Sequence, residues 1–182
     1  MNEIASRSQL RMSYIRWALV TVPSIVFLGF LSGRLANSGY GNDWFAQLQK
    51  PAIMPPGWVF PAAWTLLYML LGFALAIILH ARGAKGRRLA IGLFLLQLAG
   101  NYLWSPLFFR AHRVPEAFAL LLGIFAVSLL TSWLFARIRP LAGALLLPYL
   151  GWLLFAAMLM QGIQHLNPHA STLVVPALKT HI

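Results

Sequence analysis

Cysteine is absent from the 182 residues, and only three of them are acidic. Without thiols there can be no disulfide, no thiolate metal ligand and no cysteine nucleophile. Glu3 lies near the start, and Asp43 and Glu116 fall in loops or at the ends of apolar runs, so no run carries a carboxylate in its interior. Proton-driven transporters rely on ionisable relays inside the membrane, and that class is disfavoured here. His80, His112, His165, His169 and His181 also sit near run ends or in loops, so none is paired at mid-depth to hold a haem iron between facing helices. Ser105, Ser128 and Thr131 have no His or Lys at a matching depth to serve as base, which argues against intramembrane protease chemistry. No internal repeat is visible, and the inverted-repeat transporter architecture is weakened accordingly.

What the chain has is apolar surface. Hydrophobic residues make up 60% and charged residues 9%, against about 25% charged in an ordinary soluble domain. Five windows, roughly Trp17–Leu35, Val59–His80, Leu89–Phe109, Ala117–Ala136 and Leu141–Ile163, have the roughly 20 mostly apolar residues that a membrane helix needs. The expected fold class is an all-α membrane protein, a bundle of five transmembrane helices embedded in the lipid bilayer. The 14 Lys and Arg against three acids give a net charge of +11. In a soluble domain this balance would suggest nucleic acid; here the cations cluster between apolar runs and report topology, with no nucleic-acid partner.

A cytoplasmic N-terminus puts nine cations inside (Arg7, Arg11, Arg16, Arg82, Lys85, Arg87, Arg88, Arg137, Arg139) and five outside (Arg34, Lys50, Arg110, Arg113, Lys179). The first apolar run is longer than a signal-peptide core and lacks a small-residue cleavage pattern. Residues 1–16 therefore read as a basic cytoplasmic leader, 17–167 as the membrane domain and 168–182 as a flexible polar tail. Helical spans favour a bacterial inner membrane.

The one long connection, from Ala36 to Gly57, contains DWFAQLQKPAIMPPGW. Its Pro55-Pro56-Gly57 marks the entry to the second helix, and Trp44 to Leu48 reads as a short helical segment. A long aromatic loop over a bundle mouth is a candidate lid, with an unconstrained loop bearing an interfacial Trp as the alternative.

Polar and aromatic positions fall in stripes. Phe60, Trp64, Tyr68 and Leu71 share a face of the second helix, and Gln97, Asn101, Trp104 and Phe108 share one on the third. Pro148, Trp152, Phe155 and Leu159 form another on the fifth, with Tyr149 beside it. Amides turned to hydrocarbon would be left unpaired, so Gln97 and Asn101 must look inward. They are either interhelical hydrogen-bonding groups among packed aromatics or part of a cavity wall. Convergence of Trp64, Tyr68, Asn101, Trp104 and Trp152 from three helices favours the cavity, since a flat amphiphilic ligand needs apolar walls and a few placed donors. Gly29 and Gly33 form a GxxxG on the first helix, suited to packing within the bundle or to a dimer.

The ordered motifs WFAQLQKP (44–51), PPGWVFPAAWTLLY (55–68), QLAGNYLWSPLFF (97–109) and LLLPYLGWLLFA (145–156), closed by Leu166–Asn167, resemble the TspO/MBR family, the translocator proteins once called peripheral-type benzodiazepine receptors. The resemblance covers about residues 20–167. It implies a five-helix bundle, often a homodimer, whose first loop covers a pocket for porphyrins and, in some members, sterols. It further implies that Trp64 and Tyr68 line this pocket with Asn101, that Gln97 and Trp104 adjoin them, and that Trp152 and Phe155 contribute from the fifth helix. Trp44, Lys50 and Pro51 match the family's loop pattern as the lid, and from its charge Lys50 is expected to attract a porphyrin carboxylate at the mouth. Phe45 stands where a Tyr is common and Met160 where many members carry Asn, and the sterol-recognition segment is poorly matched.

The expected function is a membrane tetrapyrrole-binding protein that takes porphyrin or haem as ligand, without an obligatory cofactor, metal site or catalytic residue. It would sense, sequester or transport porphyrins and so modulate tetrapyrrole metabolism and stress responses. The alternative is light- and oxygen-dependent porphyrin breakdown at the pocket tryptophans, with active transport of small hydrophobic ligands less favoured.

Overall fold

A computed structural model describes residues 7–173. Among these residues the chain forms helices only, and five stretches are long and apolar enough to cross a membrane: Met12–Leu35, Val59–His80, Arg87–Arg110, Val114–Ile138 and Pro140–Leu166. Helix α1 (Arg7–Leu35) starts ten positions before the expected Trp17. The reason is local: Arg, Gln, Leu and Met are good helix formers, and neither Gly nor Pro interrupts 7–16. Most of the expected leader is thus helical, while its residues 1–6 and residues 174–182 of the expected tail lie outside the described residues.

Helix α2 (Asp43–Gln47) forms within the long loop, where Asn42 caps it by accepting from the Phe45 amide at 2.9 Å. Helix α3 (Val59–His80) follows. A turn with positive φ at Gly83 and Gly86, accessible to glycine without a Cβ penalty, leads into α4 (Arg87–Ser105). Arg87 folds back over the turn, donating from Nε to Ile78 O at 2.8 Å and from Nη2 to Leu79 O at 2.9 Å. These bonds add donors to carbonyls in the last turn of α3, where the i→i+4 ladder runs out and Ile78 O otherwise receives only the Ala81 amide at 3.2 Å.

Proline shapes the next two elements. Pro106 opens a π-helical turn, Pro106–Arg110, closed by the Ala111 amide on Pro106 O at 2.9 Å. The wider turn brings consecutive Phe108 and Phe109 both inward, 1% and 9% exposed. Helix α5 (Val114–Ile138) then runs the length of the bundle. The expected single window Leu141–Ile163 is two helices, α6 (Pro140–Ala144) and α7 (Leu147–Leu166). Pro148 has no N–H to continue a ladder and so occupies the first turn of α7.

Close backbone contact and a few polar bonds hold the helices. Thr21 Oγ1 lies 2.8 Å from Gly72 O and 2.9 Å from Trp17 O, sharing its proton across the α1–α3 seam. Tyr102 donates to Ile25 O at 2.9 Å, and Ser32 donates to Tyr102 O, joining α1 to α4. Ser132 donates to Gly143 O at 3.1 Å, holding α6 against α5.

Gln97, on α4, is 1% exposed and accepts from Tyr149 of α7 at 2.8 Å and from Ser128 of α5 at 3.3 Å. One amide oxygen therefore ties three helices. Replacing Gln97 with Leu leaves two buried hydroxyls without their acceptor, and a loss of about 1–2 kcal/mol is expected. Thermal unfolding in detergent measures it, and a Tyr149→Phe, Ser128→Ala background should abolish most of the penalty.

Candidate functional site

The 36–57 loop is pinned rather than loose. Asn42 Nδ2 donates to Phe109 O at 3.1 Å. Trp44, 2% exposed, donates from Nε1 to Ala170 O at 2.9 Å and stacks on His112 at 4.2 Å with planes 10° apart. This excludes the interfacial-anchor alternative, and it shows that the expected tail begins as packed structure: the 3-10 turn Ala170–Thr172 receives the loop's tryptophan. Asn167 treats Gln49 as a strand would, accepting from its amide and donating to its carbonyl, both at 2.8 Å. Pro51 lies against Gly162 of α7, where a Cβ would approach the proline ring to 2.9 Å.

Lys50 corrects an expectation. Its ammonium donates to Phe45 O at 2.7 Å, Leu48 O at 2.9 Å and Ala46 O at 3.2 Å, and sits 4.7 Å from the Phe45 ring centre. The carbonyls at the end of α2 need donors, and the Lys side chain is long enough to reach three of them. Partial burial holds its pKa below the ordinary lysine value. With its donors so engaged, Lys50 is a brace inside the lid and not a free cation at the mouth.

Beneath the loop lies a cavity of about 680 Å³, within the roughly 300–1,000 Å³ of small-molecule sites. Trp64, Tyr68, Asn101, Trp104 and Trp152 all stand on its wall. The Trp64 ring is 5.2 Å from Tyr68 and 6.4 Å from Trp152, which it meets nearly edge-on. Trp104 stacks on Phe108 at 5.0 Å and donates Nε1 to Ala117 O at 3.0 Å, so its polar edge is satisfied and its ring belongs to the wall. Asn101 is 6% exposed, and its Nδ2 has no hydrogen-bond partner.

Two expected wall residues are elsewhere. Gln97 is off the wall, held by Tyr149 and Ser128 one turn deeper than Asn101. Phe155 packs on Trp152, ring centres 5.6 Å apart, behind the wall. Trp44 and Pro51, expected in the lid, fasten the loop without lining the cavity; the loop side chains on the wall are Asn37, Ser38, Tyr40, Phe45 and Met54.

Helix α1 supplies a part of the wall that lies outside the three aromatic stripes. Gly29, Phe30, Gly33 and Arg34 all line the cavity. Their i, i+4 repetition was the available signal, read as a packing motif because two of the four are glycines. Gly29 lies directly on the Tyr68 ring, with no room for a Cβ. Gly29 therefore serves packing within the bundle, whereas a Cβ on Gly33 would meet only Ser38, at 3.8 Å. Met160 of α7, 3% exposed, also lines the wall.

Comparison with known proteins adds an independent line. A family model described as TspO/MBR family matches residues 19–166. Among curated relatives, "Translocator protein" of Ovis aries is 39% identical over 133 residues, 72% of this chain and 78% of that protein. "Tryptophan-rich sensory protein" of Cereibacter sphaeroides is 37% identical over 141 residues, 75% of this chain and 83% of that one. "Tryptophan-rich protein TspO" of Archaeoglobus fulgidus is 34% identical over 149 residues, 82% and 95% of the two chains.

Proposed function

The chain belongs to the TspO/MBR family, and from that premise we propose that this multi-pass membrane protein of translocator type binds tetrapyrroles, porphyrin or haem, beneath its first loop. The observation that carries the reading is Asn101: a buried amide donor without a partner, facing a cavity walled by Trp64, Trp104 and Trp152. An unsatisfied buried donor costs about 1–3 kcal/mol, which a ligand acceptor would recover. Indole faces stack on flat conjugated rings, and the apolar wall favours transfer of such a ring out of water.

Binding of this kind suits sensing, sequestering or moving porphyrins, and a relative named for a sensory role agrees with it. The exposed cations Arg82, Lys85, Arg88, Arg137 and Arg139 lie at the bundle end opposite the lid. That distribution supports a cytoplasmic N-terminus with the lid on the outer side, and the membrane we propose is a bacterial inner one.

Titration of the detergent-purified protein with protoporphyrin IX in the dark, followed by tryptophan fluorescence, tests the proposal. Saturable quenching is expected, with affinity lowered roughly tenfold, or about 1.4 kcal/mol, by Asn101→Leu and by Trp64→Ala. Absence of saturable quenching, or affinity indifferent to both changes in folded variants, would overturn it. The three wall tryptophans also favour a second reading, photo-oxidative breakdown of the bound ring. Turnover that persists in darkness would exclude that chemistry.

A further inference from the structure

We infer that Arg34 makes the cavity selective for anionic ligands, holding a carboxylate at the mouth while the flat apolar body lies against the tryptophans below. This deepens the tetrapyrrole reading by naming the charge its ligand must carry and the residue that selects it.

Among the described residues, Arg34 is the single charged side chain on the cavity wall. It stands in the last turn of α1, and Ser32, bonded to Tyr102 O, sets the height of that turn against α4. At about 1.5 Å per residue, Arg34 lies roughly 3 Å beyond Ser32 toward the loop, on the mouth side of Asn101. Asn37 and Ser38 continue the wall there, so the lining is polar at the mouth and aromatic beneath.

Other charges near the loop are committed or lie off the wall. Lys50 is tied to three backbone carbonyls. Glu116 pairs with Arg113 at 3.5 Å, and Asp43, in the first turn of α2, is not on the cavity wall. Among the described residues, no hydrogen bond or ion pair engages the Arg34 guanidinium. Carbonyls at the end of α1 would repel an anion with about half a charge, and a full guanidinium charge with a planar donor fork outweighs them. Arg34 is solvent-exposed, so its attraction is moderate and screened by salt.

The test compares acid with neutral ester, using protoporphyrin IX against its dimethyl ester and pyrenebutyrate against its methyl ester, in the native protein, Arg34→Gln and Arg34→Lys. The native protein is expected to favour the acid three- to tenfold, less at high salt. Arg34→Gln should bring the acid-to-ester ratio close to one, and Arg34→Lys should keep much of it. Loss of the ratio in Arg34→Gln separates a charge contact from a general disturbance of the cavity, which would weaken acid and ester alike. Equal binding of acid and ester by the native protein, or a preference that survives Arg34→Gln, would overturn the inference. If the porphyrin pair fails to bind while the pyrene pair shows the Arg34-dependent preference, the tetrapyrrole reading falls and the charge selectivity stands. If none of the four ligands binds, both fall.

Discussion

Replacing Gly72 with valine is expected to destabilise the bundle by about 3 kcal/mol, at the upper end of overpacking penalties, and to lower the unfolding midpoint by roughly 6–12 °C. The cause is backbone against backbone. A Cβ on Gly72 would fall 2.6 Å from the Cα of Val22 and 2.8 Å from its Cγ2. A flexible side chain could move aside, but the main chain of α1 cannot shift without separating the seam. Separation would also lengthen the bond from Thr21 to Gly72 O, now 2.8 Å. Inside a bilayer the hydrophobic effect does not restore helix contacts, because lipid tails are as apolar as the side chains. Close packing is the main attraction, and Gly72 is where α1 and α3 depend on it. Gly92→Ala is the control: a Cβ there meets nothing within 4 Å, so that variant should melt within a degree or two of the native protein. A Gly72→Val midpoint equal to that of Gly92→Ala would refute the account.

Asn167→Leu should loosen the lid without unfolding the bundle. The Asn167 amide accepts from Gln49 N and donates to Gln49 O and Ile163 O, each at 2.8 Å. The two bonds to Gln49, at about 1 kcal/mol each, cross from the end of α7 to the loop, whereas that to Ile163 stays within the helix end, so the change lowers the free energy of lid opening by up to about 2 kcal/mol. That corresponds to roughly 30-fold faster hydrogen exchange at amides protected only while the lid is closed. Phe45 and Ala46 are suitable reporters, because their amides bond to Asn42 Oδ1 and Asn42 O rather than to the deleted group. Protection in the middle of α3 should be unchanged. Unaltered exchange at both reporters would mean that Trp44 on Ala170 and Pro51 on Gly162 hold the loop without Asn167.

The two variants separate what the bundle needs from what the lid needs. Gly72 sits midway along the α1–α3 seam, whereas Asn167 acts where the last helix ends. A cavity whose roof opens at lower cost than its walls can admit a ligand while its aromatic wall stays in place.

Much of this protein could be read from its residues. Five spans follow from apolar length alone, because a bilayer of fixed thickness needs about 20 apolar residues per helix. The facing of Trp64 and Tyr68 follows from the i, i+4 geometry of one helix, and the placement of Asn101 follows from the cost of turning an amide to lipid. These are properties of single helices in a known solvent. Gln97 shows where such reasoning stops. It satisfies the same inward-facing rule as Asn101, but the rule cannot tell a cavity from a neighbouring helix. Tyr149 and Ser128 reach its oxygen, and its Nε2, like Asn101 Nδ2, has no partner; what separates the two amides is that Asn101 lines the cavity and Gln97 does not.

Lys50 and Arg34 show the same division with charge. From sequence both are outer cations beside a loop, and Lys50, inside the longer motif, attracted the role at the mouth. Tertiary structure reversed them: the chain curls at α2 so that its end carbonyls occupy Lys50, and Gly29 lets α1 close on Tyr68 with Arg34 at the cavity rim. Membrane insertion, helix number and the inward faces were determined by the sequence, since transfer energy and helical period are local. Which inward groups are satisfied by one another, and which stay free for a ligand, was decided only when helices distant in sequence came together, because a hydrogen bond depends on a partner within about 3 Å.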